Sequence, residues 1–137
     1  MKKLFAILAA TVAVALCLVS CNKNGGSTIG GGLNGTTWVA SETYEEEGVS
    51  VTETLTLSFQ ATTWTIKIKA TYLGQSYEEA LGGGSYTYSG NTVTLTGKDE
   101  ETGKDETIQG TISGNKMTFT GDELGFNGSK SITFTKQ

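Results

Sequence analysis

The chain has 137 residues, of which 14 are acidic and 10 basic, and it contains neither arginine nor histidine. The net charge of −4 argues against a nucleic-acid-binding protein, because that function depends on basic side chains that neutralise phosphates. The missing histidine argues against an enzyme, because serine and threonine hydroxyls need an activating base to act as nucleophiles. We therefore expect no catalytic residue, cofactor or metal centre.

The first 20 residues have the pattern of an export signal. Lys2 and Lys3 precede an apolar run from Leu4 to Val19, which ends at Ser20. A membrane-spanning helix needs about 20 apolar residues, so the shorter run favours a cleaved signal. An uncleaved anchor is the alternative.

The next motif, Leu18-Val19-Ser20-Cys21, resembles the lipobox of bacterial lipoproteins. In that family the cysteine receives a diacylglyceryl group and becomes the first residue after cleavage. The resemblance implies lipidation of Cys21, attachment to a membrane through that lipid, and a place in the bacterial cell envelope, at the outer membrane. An ordinary secretory signal is the alternative, and the side of the membrane stays open.

Residues 21–32 then form a glycine-rich segment typical of a flexible tether, and residues 33–137 are long enough for one domain. Cys17 would leave with the signal, so no internal disulfide is expected. Removing Lys2 and Lys3 from the ten basic residues leaves eight against 14 acidic ones, a net charge of −6.

Strict alternation of apolar and polar residues predicts β-strands throughout this domain. Between Val49 and Phe59 the odd positions are apolar except Glu53, and Trp64, Ile66 and Ile68 alternate with threonine and lysine. No segment after the signal has convincing helical spacing. The pattern predicts about eight strands, at 36–44, 48–59, 62–72, 76–80 with 84–89 as one broken strand, 91–97, 105–113, 115–121 and 130–136.

Short turn signals between these strands favour an antiparallel meander. Eight such strands close most easily as an up-and-down barrel, because closure removes exposed edges. A two-layer β-sandwich is the alternative, and we expect a monomer.

Two segments repeat with an offset of 24 residues, YSGNTVTLTGKDE at 88–100 and ISGNKMTFTGDE at 112–123. Two equivalent hairpins of one sheet explain the repeat better than a binding motif does. Asp99, Glu100, Asp105 and Glu106 form an acidic tip that lacks the ligand spacing of an EF-hand, so a solvated loop is favoured over a calcium site.

The start of the first strand, Gly35-Thr36-Thr37-Trp38, resembles the Gly-x-Trp start of lipocalins and of lipocalin-like domains in small envelope lipoproteins of the Bacteroides kind. The spacing differs by one residue, and the chain has no arginine to stack over the tryptophan as in the larger family. The resemblance implies a barrel that binds a small, partly apolar ligand. A protein-binding module acting through acidic loops is the alternative function, and Trp38 as a core residue is favoured over Trp38 as a ligand contact.

Glu53 is the one charged residue in an apolar row, so it is either turned outward by a β-bulge, which is slightly favoured, or buried at a ligand cleft. In the second case its carboxylate needs a polar partner, and the candidates are the hydroxyls of Tyr72, Tyr86 and Tyr88, or water at a barrel mouth. The predicted ligand-binding set is therefore Trp38, Glu53, Trp64, Tyr72, Tyr86 and Tyr88, with the tryptophans as the apolar wall.

Overall fold

The computed structural model describes residues 32–98, 102–121 and 130–137. The predicted signal, Cys21 and the tether as far as residue 31 lie outside the described residues, as do Asp99 and Glu100. The described chain contains eight strands, which are β1 (Thr37–Glu46), β2 (Val49–Phe59), β3 (Thr63–Tyr72), β4 (Gln75–Ser89), β5 (Thr92–Lys98), β6 (Asp105–Ser113), β7 (Lys116–Thr120) and β8 (Ser131–Lys136).

Each strand pairs antiparallel with the next in the chain, and β8 pairs with β1. The eight strands therefore form a closed up-and-down barrel. This confirms the predicted fold class and rules out the sandwich. Among the described residues, no helix is long and apolar enough to cross a membrane.

Two tight hairpins set the register of the first four strands. Glu47 and Gly48 join β1 to β2, and Leu73 and Gly74 join β3 to β4, all four with positive φ angles between 48° and 80°. Two consecutive positive φ angles define the turn that matches the right-handed twist of a hairpin. Because these loops have only two residues, they place Glu42 opposite Glu53 and Tyr72 opposite Gln75.

The barrel core is one cluster of apolar side chains from all eight strands. It contains the two tryptophans, Phe59 packed edge-on against Tyr86 at 4.8 Å between ring centres, and Phe119 against Phe134 at 6.1 Å. Burying such rings is the main source of stability for a domain of this size.

The sequence repeat corresponds to two equivalent hairpins, as predicted. In the β4–β5 turn the carbonyl of Asn91 accepts a hydrogen bond from the amide of Ile112, and in the β6–β7 turn the carbonyl of Asn115 accepts one from the amide of Lys136. Both bonds are 2.8 Å long and span 21 residues. The repeat is therefore structural.

The strand β4 is continuous where the sequence predicted a break at 81–83. The register shifts by one residue there, with Ile66 opposite Gly82 and Lys67 opposite Ala80, so Leu81 is the extra residue of a β-bulge. Gly84 allows a close approach after the bulge, because a Cβ atom there would lie 1.9 Å from the carbonyl oxygen of Thr96. The bulge moves the inward side chains of β4 from odd to even positions.

Hydroxyl side chains cover much of the outer face and pair across the strands. Thr43 with Thr52, Ser41 with Thr54, and Thr118 with Thr133 form hydrogen bonds of 2.8 to 3.0 Å. Such cross-strand pairs suit a solvated pleated surface. The alternation read from the sequence therefore corresponds to an apolar inside and a hydroxyl-rich outside.

Candidate functional site

One end of the barrel carries polar side chains on its inner face, at the ends of β1 to β4 that the two tight hairpins join. Two cross-strand rows build it, Tyr44–Val51–Tyr72–Gln75 and Glu42–Glu53–Ala70–Tyr77, and Glu79 follows opposite Ile68. Residues opposite each other on paired strands share a face. We call the polar members of this end the mouth cluster, which consists of Glu42, Tyr44, Glu53, Tyr72, Tyr77 and Glu79.

Glu53 points into the barrel, so the favoured interpretation that a bulge turns it outward is wrong. The ladder is regular on both sides of Glu53, with Glu42 on β1 and Ala70 on β3 as its partners. Its side chain is only 9% exposed, like those of its inward neighbours on β2. The alternation of β2 therefore continues through the charged residue, because neither ladder contains an extra residue there.

The partner of Glu53 is a tyrosine that the sequence interpretation did not include. The hydroxyl of Tyr44 donates a 3.1 Å hydrogen bond to Oε1 of Glu53. Burial raises the pKa of Tyr44, and the bond to Glu53 and the negative charges of Glu53, Glu46 and Glu42 raise it further. Tyr44 therefore remains a protonated donor at neutral pH. The predicted partners Tyr72, Tyr86 and Tyr88 do not take this place.

The second carboxylate oxygen of Glu53 differs from the first in its hydrogen bonding. Oε2 is buried and accepts no hydrogen bond in the part of the chain that the structure describes. A buried acceptor without a donor is costly, and cores normally avoid one. This oxygen is the most unusual polar atom of the described barrel.

Negative charge accumulates on this inner face without a local counter-charge from the same strands. Glu42 lies directly opposite Glu53, an arrangement of like charges that destabilises a sheet. Within β1 to β4, which are described throughout, the lysines are Lys67 and Lys69, and both are exposed on the outer parity of β3. Lys67 pairs there with Glu78 at 3.3 Å.

The same end exposes large apolar surface. Tyr72 is 48% exposed, Tyr77 is 63% exposed and Leu73, at the hairpin tip between them, is 68% exposed. The hydroxyl of Tyr77 donates a 3.3 Å hydrogen bond to Glu79. Leu73 also adopts a positive φ of 48°, a conformation that normally favours glycine or asparagine. Strain and apolar exposure coincide at this tip.

Comparison with known proteins gave no match. No protein-family model, curated protein or solved structure matches the chain.

The other residues of the predicted ligand set lie at the opposite end of the barrel. The indole N–H of Trp38 donates to Thr36 at 2.9 Å and that of Trp64 to the carbonyl of Thr96 at 3.2 Å, and both rings are buried in the core. The hydroxyl of Tyr86 donates to the carbonyl of Gln60 at 2.7 Å. Tyr88 packs against the same core cluster.

The structure therefore divides the predicted set in two. Trp64 and Tyr72 are eight residues apart on one strand, which corresponds to about 26 Å at the usual rise. Only Glu53 and Tyr72 of the predicted set belong to the mouth cluster. Trp38, Trp64 and Tyr86 are core residues and Tyr88 is partly buried against the core, so the four do not form the wall of a cleft that contains Glu53.

Sequence reasoning missed Glu42, Tyr44, Tyr77 and Glu79. Continuing the inward alternation of Trp38 and Ala40 would have placed Glu42 and Tyr44 on the inner face, and the Glu47-Gly48 turn signal would have set them opposite Glu53 and Val51. Tyr77 and Glu79 were harder to find, because the bulge at Leu81 reverses the parity of β4.

The side chains of the mouth cluster are of the kinds that contact ligands in binding sites. Among the described residues there is no group of three or more histidine, cysteine, aspartate or glutamate side chains that could hold a metal ion. The mouth cluster instead offers tyrosine rings as apolar contact surface, carboxylates as acceptors, and one buried acceptor oxygen. Binding sites for small molecules combine apolar walls with a few convergent polar groups in this way.

Proposed function

We propose that the protein is a lipid-anchored, non-catalytic binding protein of the bacterial cell envelope, whose barrel mouth takes a small, partly apolar ligand. The observation that carries the proposal is the exposure of Tyr72 and Tyr77 on the inner face of a barrel that is otherwise packed. Large apolar side chains exposed together commonly mark a contact surface. No cofactor is needed for such a function.

The resemblance to lipocalin-like domains supports the same proposal. The closed eight-stranded meander has the predicted architecture. A cation also lies near the ring of Trp38, where the larger family uses an arginine, because Nζ of Lys136 is 5.9 Å from the ring centre. Lys136 belongs to the last strand and Trp38 to the first, so this contact supports closure of the barrel.

Native mass spectrometry of the chain isolated gently from its own cells tests the ligand. We expect a retained small molecule on the wild-type chain and its loss from the double variant Tyr72→Ser/Tyr77→Ser, because the apolar contact surface is removed. The matched control is Thr71→Ala/Glu78→Gln, which changes the outer face of the same hairpin and should retain the molecule. Equal retention by all three chains would contradict the proposal.

The membrane anchor has its own test. Cells grown with an alkyne-labelled fatty acid should incorporate the label into the wild-type chain and into Cys17→Ala, because Cys17 would leave with the signal. Cys21→Ala should lose the label. Labelling of Cys21→Ala at the wild-type level would show that Cys21 is not the lipidated residue.

A protein-binding module remains the second candidate function, and the packed core favours it. The apolar cluster leaves the exposed hairpin tip of Tyr72, Leu73 and Tyr77 as the prominent apolar surface among the described residues. Chemical cross-linking in intact cells, with a photoreactive residue at position 73, distinguishes the two functions. A single cross-linked protein would favour the module, and labelling of a small molecule would favour the carrier.

A further inference from the structure

Glu53 combines two properties that a purely structural residue rarely has. It is nine-tenths buried, and its Oε2 atom accepts no hydrogen bond among the described residues. Tyr44 already occupies Oε1 at 3.1 Å, so the carboxylate is held in place while its other oxygen is buried and unpaired within the described residues. A barrel that needed only packing here would place an apolar residue at this position, as it does at Val51 and Leu55.

The surroundings of that oxygen indicate the charge of the missing donor. Glu42 lies opposite Glu53 on the same face, and Glu79 lies two strands away beside Tyr77. A neutral donor would satisfy Oε2 and leave the repulsion between carboxylates unrelieved. A cationic donor would satisfy Oε2 and also relieve the repulsion between the carboxylates. Hydrogen bonds between ions are in addition stronger than those between neutral groups.

The exposed tyrosine rings indicate that the rest of the bound ligand is apolar. Tyr72 lies on β3, opposite Val51. Tyr77 lies on β4, in the same cross-strand row as Glu53. Neighbouring strands are about 4.8 Å apart, so an aromatic or short alkyl body of roughly 5 to 10 Å would reach from the carboxylates to both rings. Tyrosine faces also attract cations.

We infer that the mouth cluster is a binding site for amphipathic primary amines, in which the ammonium group donates to Oε2 of Glu53 and the apolar body lies against Tyr72 and Tyr77. This inference rests on the proposed small-ligand function and specifies its chemical class. Glu42 and Glu79 supply further negative charge. Tyr44 is a positioning residue, because it holds the Glu53 carboxylate by its other oxygen.

The test compares probes that share one apolar body. Calorimetric titrations of the full chain use 2-phenylethylamine, its alcohol analogue 2-phenylethanol, and the trimethylated ammonium, which carries the charge without an N–H donor. We expect the amine to bind at least about tenfold more tightly than either analogue, since a hydrogen bond between ions is worth about that factor. Equal binding of amine and trimethylated ammonium would overturn the assignment of a donor to Oε2.

Variants test whether Glu53 causes the preference for the amine over its two analogues. Glu53→Gln keeps the shape of the side chain and an acceptor for Tyr44, so the fold should persist while the preference for the amine falls below about threefold. Glu78→Gln removes one carboxylate from the outer face of the same sheet and should leave the preference unchanged. Loss of the preference in both variants would mean that net charge, and not Glu53, selects the ligand, and would overturn the inference.

The outcomes also separate this inference from the proposed function. Binding of amine and alcohol with equal affinity, lost in Tyr72→Ser/Tyr77→Ser, would keep the small-ligand function and overturn the amine class. Failure of all three probes at millimolar concentration would overturn the amine site. A molecule still retained in native mass spectrometry would then leave the proposed function standing.

Discussion

The two ends of the barrel are built from the same strands and differ in what those strands place inside. On β2 and β3, Phe59 opposite Trp64 and Leu57 opposite Ile66 form the packed end, while Glu53 opposite Ala70 and Val51 opposite Tyr72 form the mouth. The packed end satisfies its polar atoms, as the two indole N–H groups show. At the mouth, Oε2 of Glu53 has no donor among the described residues, and large side chains are exposed.

This difference shows that a small barrel can concentrate its packed aromatic core at one end and place buried charge and exposed tyrosines at the other. In proteins generally, functional sites are where local packing departs from the optimum. The two ends should therefore respond in opposite ways to substitution.

The largest effect is expected at the packed end. Ile66→Ala removes a buried side chain from the core cluster and should lower the free energy of unfolding by about 2–5 kcal/mol. Lys67→Ala, its exposed neighbour, should stay within about 0.5 kcal/mol. Urea denaturation of both variants gives the comparison, and equal losses would contradict the assignment of inner and outer faces.

At the mouth, removing a native side chain should stabilise the fold. Glu53→Leu eliminates a buried oxygen that has no donor within the described part of the chain, and we expect the free energy of unfolding to rise by about 1–3 kcal/mol. Glu78→Leu, on the outer face, should change it by about 0.5 kcal/mol or less. Chemical denaturation would contradict the account if Glu53→Leu were less stable than the wild type.

A substitution at the hairpin tip should also raise the free energy of unfolding, by a smaller amount than Glu53→Leu. Leu73 has a positive φ, and asparagine adopts that conformation more readily, so Leu73→Asn should gain about 1 kcal/mol. Glu47→Asn makes the matching change in the other hairpin. If the tip contacts the ligand, only Leu73→Asn should weaken retention in native mass spectrometry. A loss of stability in Leu73→Asn would show that the strain is not relieved there.

The smallest effect is a pH dependence that involves both ends. The pKa values of Tyr44 and Tyr86 lie above the usual 10.0, chiefly because of burial. The folded chain therefore keeps these protons at pH values at which the unfolded chain has lost them. The free energy of unfolding should fall as the pH rises above about 10, whereas below that pH these two groups add no pH dependence. Tyr44→Phe/Tyr86→Phe should show a smaller fall, and an identical fall in urea midpoints would contradict this cause.

The sequence predicted the barrel well, because every strand except β4 alternates and most turns carry a glycine. It placed Glu53 less well, because alternation alone cannot distinguish a buried charge from a bulge. The actual bulge, at Leu81, has no charged residue to mark it and lies before a run of three glycines. Tyr44 was missed because its role depends on the register between two strands, which a turn of two residues fixes.

The predicted set of site residues mixed the two ends for a related reason. Aromatic residues on inward positions look alike in sequence, whether they fill a core or border a mouth. Trp64 and Tyr72 have the same parity on β3, and only their distance from the hairpin tip separates them. Burial at one end and exposure at the other follow from where each strand ends, which the alternation does not encode.

An amide NMR titration of the full chain with 2-phenylethylamine tests the division between the two ends most directly. The chain has two tryptophans, both at the packed end, so their indole N–H signals report on that end. We predict that shifts concentrate at amides of 42–53 and 70–79, while both indole signals stay in place. Shifts of the indole signals as large as those at Glu53 would contradict a binding site at the mouth.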